Sequence, residues 1–333
     1  MAIRDRLSDL QIEMKPSSVL DTLMATRPVL LIPVWGFSAL GYRCATGSSL
    51  SFRSLFSLQS SSPSEYLILI VFSFSVAAVY LFNQLADIEV DKKNGGLPLV
   101  ASGIVTVPSA IITAVFLSIA ALILPLPFHL APITACSAAA LLLGAVYSFR
   151  PFRFSGRPFL DFISNAMGYG VIAYGAGWYV AGKTIFSIEF SLHALPYFLL
   201  MCAGSISSTL PDIEGDRSDG KITTAVQIGF TPAHLLAMLL LITAGIAGFF
   251  VNDGIAVLCS LGTLPFYLAF LLWPHTFLME ATYKIGGAFC MIAAFISMPG
   301  FIPVSVIVFT ITWLYFRIRH GITYPSLLPA NKP

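Results

Sequence analysis

The chain has 333 residues, 57% of them hydrophobic and only 10% charged, with a mean hydropathy of +0.85. A soluble globular protein carries about 25% charged residues, so this composition excludes a soluble enzyme and points to a polytopic membrane protein. A net charge of +2 leaves no electrostatic footprint for nucleic acid. The five cysteines (Cys44, Cys136, Cys202, Cys259, Cys290) stand singly in apolar runs, which excludes a disulfide framework or a CxxC metal site.

Residues 1–26 read as an amphipathic cytoplasmic lead, with Leu7, Leu10, Ile12 and Met14 among charges, lying on the membrane surface. They do not read as a signal peptide, because the first fifteen residues are polar and the apolar run starts near Pro28. A first span covers about residues 28–45, broken by Pro33 and Gly36, and a Ser-rich loop follows over 46–63. Further spans fall at about 66–86, 109–126, 130–147, 160–181, 190–210, 232–251, 255–273, 277–297 and 301–318. The pattern predicts an all-α membrane bundle of nine or ten transmembrane helices, the doubtful one holding Glu280 and Lys284. Residues 27–320 form its membrane domain and 321–333 a tail.

The span ending at Ala86 runs into Asn83-Gln-Leu-Ala-Asp87-Ile-Glu-Val-Asp91. On a helix, Asn83, Asp87 and Asp91 stack on one face, while Glu89 points elsewhere and reads as solvated. The device returns at the end of the 190–210 span, where Asp212 and Asp216 are again four apart and Ser208 stands in the place of Asn83. Carboxylates at the mouth of a membrane helix are costly unless a cation sits among them. Hard oxygen ligands with room for water and phosphate suit Mg²⁺. Between the motifs lies a basic loop with Arg150, Arg153 and Arg157, and Asp161 is placed to pair with Arg157.

With the N-terminus inside, only Arg43, Arg53 and Lys183 of the 18 lysines and arginines fall outside. Both acidic motifs and the basic loop therefore face the cytoplasm. A faint internal repeat also shows: Arg27-Pro28 and Arg157-Pro158 each precede, one helix later, an acidic motif. Two four-helix halves around a shared central cavity would produce it.

Together these residues fit the ionisation of an allylic diphosphate: Mg²⁺ as Lewis acid, Arg and Lys on phosphate oxygens. An aromatic, dry chamber for the cation is also needed, with Tyr147, Tyr169, Tyr174 and Trp178 as candidate walls.

The motifs resemble the UbiA superfamily of intramembrane prenyltransferases. Asn83-xxx-Asp87-xxx-Asp91 matches its NxxxDxxxD, and Asp212-xxx-Asp216-xxx-Gly220-Lys221-Ile-Thr223-Thr224 its DxxxDxxxG-x-K-[ST]-T. Tyr147-Ser148 with Arg150 to Arg157 resembles its YS-x-P-x-R loop, and Arg27-Pro28 matches its first helix. The resemblance covers about residues 20–320. It implies a helical bundle, usually of nine spans, and Mg²⁺-dependent transfer of an isoprenyl group from a prenyl diphosphate donor to a lipophilic acceptor such as an aromatic or quinone precursor. Carried over, Asn83, Asp87, Asp91, Asp212 and Asp216 hold the metal–diphosphate, the four aspartates being the catalytic set. Arg27, Arg153 and Lys221 contact diphosphate or acceptor, and Tyr147 sits near the cavity mouth; Arg157 is a further candidate phosphate clamp by its place in the basic loop. Two departures stand out: Leu97-Pro98 replaces a frequent Arg-Pro, and Arg157 stands where Lys is common.

A membrane terpene cyclase would use the same head-group site without an acceptor. A cation or phospholipid transporter would hold its charges near the midplane instead. The DDxxD motifs of soluble prenyl synthases are absent.

Overall fold

The computed structural model describes residues 18–47, 50, 61–94 and 99–325. Most of the N-terminal lead, the Ser-rich loop, Leu97-Pro98 and the end of the C-terminal tail lie outside the described residues.

Helix α1 (Val19–Ala25) is started by a capping box between Ser18 and Asp21. Arg27 then turns left-handed, φ 52°, into a 3₁₀ turn at Pro28–Leu30. Helix α2 (Leu31–Gly47) follows without a break. Neither Pro33 nor Gly36 interrupts it, contrary to expectation. Pro33 lies in the first turn, where no N–H is needed, and Gly36 is where Met291 packs in. Helix α3 (Pro63–Ala86) begins at a Ser62–Glu65 capping box with Pro63 at its first position.

After the short α4 (Ile88–Asn94) come α5 (Val107–Ile123) and α6 (Ala131–Ser148). The run 160–180 is divided: α7 (Leu160–Ala166), a π-helical segment (Met167–Ala173) and α8 (Tyr174–Val180). Helix α9 (Ile188–Thr209) tightens into a 3₁₀ turn, Leu210–Asp212, and the short α10 (Ile213–Ser218) and α11 (Thr224–Ile228) follow. Four long helices close the chain: α12 (Phe230–Phe250), α13 (Gly254–Leu272), α14 (Thr276–Ser297) and α15 (Phe301–His320).

Among the described residues, nine helices are long and apolar enough to cross a membrane. The helix bearing Glu280 and Lys284 is one of them, so it is not the doubtful span. The run 160–180 falls short of that test, and it is the run the π segment divides. π-helical turns are often found at functional sites.

Neighbouring helices pack side by side: α3 with α5 and α6, α9 with α12, and α12 to α14 in sequence. Helices α2 and α8 meet backbone to backbone, because Gly177 faces the carbonyl of Ser38 and Gly41 that of Tyr174. Small residues allow such close approach where lipid offers no hydrophobic drive. The central core gathers Trp35, Leu40, Phe72, Tyr174, Trp178 and Tyr197 from four helices. Tyr174 and Trp178 are fully buried and stack on each other at 6.1 Å, so they serve packing and line no chamber. All five cysteines are buried and free.

Candidate active site

Both acidic motifs sit where a long helix hands over to a short one. Helix α3 ends at Ala86, and Asp87 is the joint before α4. The i to i+4 bonds continue through the joint. The Asp87 N–H donates to the Asn83 carbonyl at 3.0 Å, and the Asp91 N–H to the Asp87 carbonyl at 2.8 Å. The three side chains therefore stay in one column although the helix breaks. In the second motif Pro211 stands at the start of the 3₁₀ turn, and Asp212 closes that turn before Asp216 rises on α10. The Lys221 N–H returns to the Asp216 carbonyl at 2.9 Å, after Gly220 turns left-handed at φ +70°.

The four aspartates line one chamber of about 280 Å³, together with Asn83, Arg27, Tyr147 and Lys221. Arg153 reaches the same group from the loop side: its Nη2 lies 2.7 Å from Asp87 Oδ1. Lys221 Nζ is 3.6 Å from Asp87 Oδ2, to which Asn83 also donates at 3.3 Å. Burial, then the neighbouring Asp87, push the Asp91 carboxyl above the usual range, while Arg27 and Lys221 pull it down. Glu89 is exposed and pairs with the exposed Lys92, as a solvated residue does.

Three expectations change. Arg157 stays outside the chamber. It is exposed, donates to the Pro151 carbonyl at 2.5 Å, and lines a separate outer basic pocket with Arg150, Arg153 and Lys221. Asp161 does not pair with Arg157. It accepts the Thr224 N–H at 2.7 Å and the Thr224 hydroxyl at 2.5 Å, tying α7 to the loop after the second motif. Ser208 is exposed and bonds back to the Ser205 carbonyl. The hydroxyls that face the chamber from α9 are Ser205 and Thr209. Residues 205, 209, 212 and 216 share one helical face, so extending the column two turns back from Asp212 would have found them.

A second, mostly apolar pocket of about 220 Å³ continues from the chamber, sharing Arg27, Asn83, Tyr147 and Asn165 with it. Tyr80 and Tyr169 stand in its wall, their hydroxyls 2.6 Å apart, and Tyr80 also donates to the Leu30 carbonyl at 3.0 Å.

The donor set fits a hard divalent cation that shares its shell with a ligand. Among the described residues no three His, Cys, Asp or Glu side chains stand close enough to enclose an ion alone. Mg²⁺ is usually held by one or two carboxylates plus phosphates, which two separated Asp pairs provide. The chamber also holds two buried hydroxyls without a protein partner, on Ser155 and Ser205. Buried polar groups are nearly always hydrogen-bonded, so these are apt for a polar ligand.

Comparison with known proteins places the chain in a family. The model of the UbiA prenyltransferase family matches residues 40–285. A 2-acylphloroglucinol 4-prenyltransferase of Humulus lupulus is 31% identical over 169 residues, 48% of this chain and 40% of its own length. The chain thus spans well under half of that plant relative. The digeranylgeranylglyceryl phosphate synthase of Sulfolobus acidocaldarius is 26% identical over 66% of this chain and 79% of its own length. Among solved structures, a UbiA homologue from Archaeoglobus fulgidus, bound to DMAPP and Mg²⁺, superposes with a TM-score of 0.61 at 20% identity. It covers 83% of this chain and 98% of that one. That likeness is one of fold.

Proposed function

The chain belongs to the UbiA prenyltransferase family, and from that premise we propose that it transfers an isoprenyl group from a prenyl diphosphate to a lipophilic acceptor, with Mg²⁺. The observation that carries this reading is the convergence of both Asp pairs, Arg27 and Lys221 on one chamber that opens into an apolar pocket. The metal, when bound, supplies Lewis acidity to the diphosphate leaving group. Asp87, Asp91, Asp212 and Asp216, with Asn83, are the groups that would hold it.

Arg27 and Lys221 donate charge-assisted hydrogen bonds to the diphosphate oxygens and steady the leaving group. Arg153 holds the Asp87 carboxylate in place from the loop. Tyr147, Tyr80 and Tyr169, with the valines and leucine around them, keep water from the developing carbocation. The acceptor approaches through the membrane, and the diphosphate leaves on the cytoplasmic side, where the Lys and Arg bias puts both motifs.

Diphosphate release by the purified protein tests the reading. Release is expected with Mg²⁺ and not with EDTA, and Asp87→Ala and Asp212→Ala should each lower it by about a hundredfold or more. Release that ignores both substitutions would sink the proposal. Release that needs no added acceptor and yields a cyclic hydrocarbon would make the protein a cyclase.

A further inference from the structure

The apolar pocket has a definite length. Two helices enter it from the chamber rim and each leaves it seven residues further in, Asn83 to Val76 and Tyr147 to Ala140, and the segment from Arg27 to Val34 runs beside them. At 1.5 Å of rise per residue the pocket is roughly 10 Å deep. Three backbone bonds of an extended chain span about 3.5 Å, so the four bonds of an isoprene repeat span about 5 Å. The depth therefore matches two repeats.

Volume gives the same answer independently. An apolar cavity of about 150 Å³ accepts benzene, or about 25 Å³ per carbon. A pocket of about 220 Å³ then takes about nine carbons, against the ten of a geranyl chain.

The walls are set by identifiable residues. A Cβ built on Gly168 would meet only Leu143, at 3.9 Å, and both residues line the pocket. Gly168 lies in the π-helical segment with an ordinary φ, so a side chain there would enter the free space. At the inner end, Val34 on α2 and Val76 on α3 both line the pocket. The Tyr80–Tyr169 hydroxyl contact ties α3 to the π segment and holds the walls apart at a fixed width.

The geometry points to this pocket as the ruler for the donor chain, taking two isoprene units, with Gly168, Val34 and Val76 setting its length. The inference rests on the prenyl diphosphate reading above and deepens it to a donor class, the geranyl diphosphate size.

Binding tests it without knowledge of the acceptor. The full-length protein in nanodiscs is titrated with Mg²⁺ and the thiolodiphosphate analogues of dimethylallyl, geranyl, farnesyl and geranylgeranyl diphosphate, and with inorganic pyrophosphate as reference. Affinity relative to pyrophosphate is expected to rise on the order of tenfold from the five- to the ten-carbon analogue and to gain nothing further, or fall, beyond it. Gly168→Leu adds four carbons to the wall and should move the optimum down to five carbons. The double substitution Val34→Ala, Val76→Ala removes four and should move it up to fifteen. Opposite shifts in the two variants cannot come from misfolding. A flat series in a protein that binds Mg²⁺–pyrophosphate, or both variants shifting the same way, overturns the ruler alone. A protein that binds neither pyrophosphate nor any analogue overturns the reading beneath it as well.

Discussion

Asp87 carries three partners at once: Arg153 at 2.7 Å, Lys221 at 3.6 Å and the Asn83 amide. Its side chain is 8% exposed, so its charge depends on them. Replacing Arg153 with Gln removes the nearest cation and leaves Lys221. We expect a loss of about 2 kcal/mol, below the range for a fully buried pair because Arg153 is itself partly hydrated. Thermal unfolding without metal measures it. The double variant Arg153→Gln, Asp87→Asn should be more stable than the single Arg153→Gln, since the stranded charge is then gone. If the double variant is instead the weaker, Asp87 is not held by that pair. At this scale the sequence was readable wherever residues repeat along one helix face. Asn83, Asp87 and Asp91 formed the anticipated column because backbone bonding runs through the joint. Pairings across loops were not readable. Asp161 sits four residues from Arg157, yet it bonds Thr224, 63 positions away, because the second motif's loop folds back over α7 and brings its N–H there.

Whole elements followed hydropathy closely but not their internal breaks. Several of the long apolar runs start as helices at a readable cap, such as Thr106, Ser187 or Asp253, whose side chain accepts a first-turn N–H. The π segment at Met167–Ala173 left no such mark in periodicity. It became visible only through contacts: Gly170 faces the backbone of Phe198 on α9. Close packing of this kind is sharply testable at the α2–α8 crossing. A Cβ at Gly177 would stand 1.7 Å from the Ser38 carbonyl oxygen, and the obstacle is backbone rather than a flexible side chain. Gly177→Ala should therefore cost about 1–3 kcal/mol by forcing the helices apart. Gly204→Ala on α9 meets nothing within 4 Å and should match wild type or slightly exceed it. Thermal unfolding of both in the same detergent checks the contrast. Equal stability of the two would mean that α2 and α8 do not cross at Gly177.

For the whole molecule, the distribution of cations decides which way the chamber faces. Arg27, Arg153 and Lys221 border the chamber and Arg217 lies just beyond it, while Lys183 sits in the loop between α8 and α9 at the opposite end. Orientation follows the lysine and arginine excess in short loops, which are retained on the cytoplasmic side. Among the described residues, Arg27, Arg150, Arg153, Arg157, Arg217 and Lys221 gather at the chamber's end, so an orientation that keeps them inside would turn the chamber to the cytoplasm. The five native cysteines are buried, so an introduced cysteine can be labelled against a low background. Arg217 is exposed, and the Lys183 side chain is 41% exposed in a surface pair with Glu189 whose loss costs little. In intact cells a membrane-impermeant maleimide should label Lys183→Cys at once and Arg217→Cys only after permeabilisation. The reverse pattern would turn the chamber outward. The charge bias would then have failed as a topology signal here, and donor and diphosphate would have to be handled on the far side of the membrane.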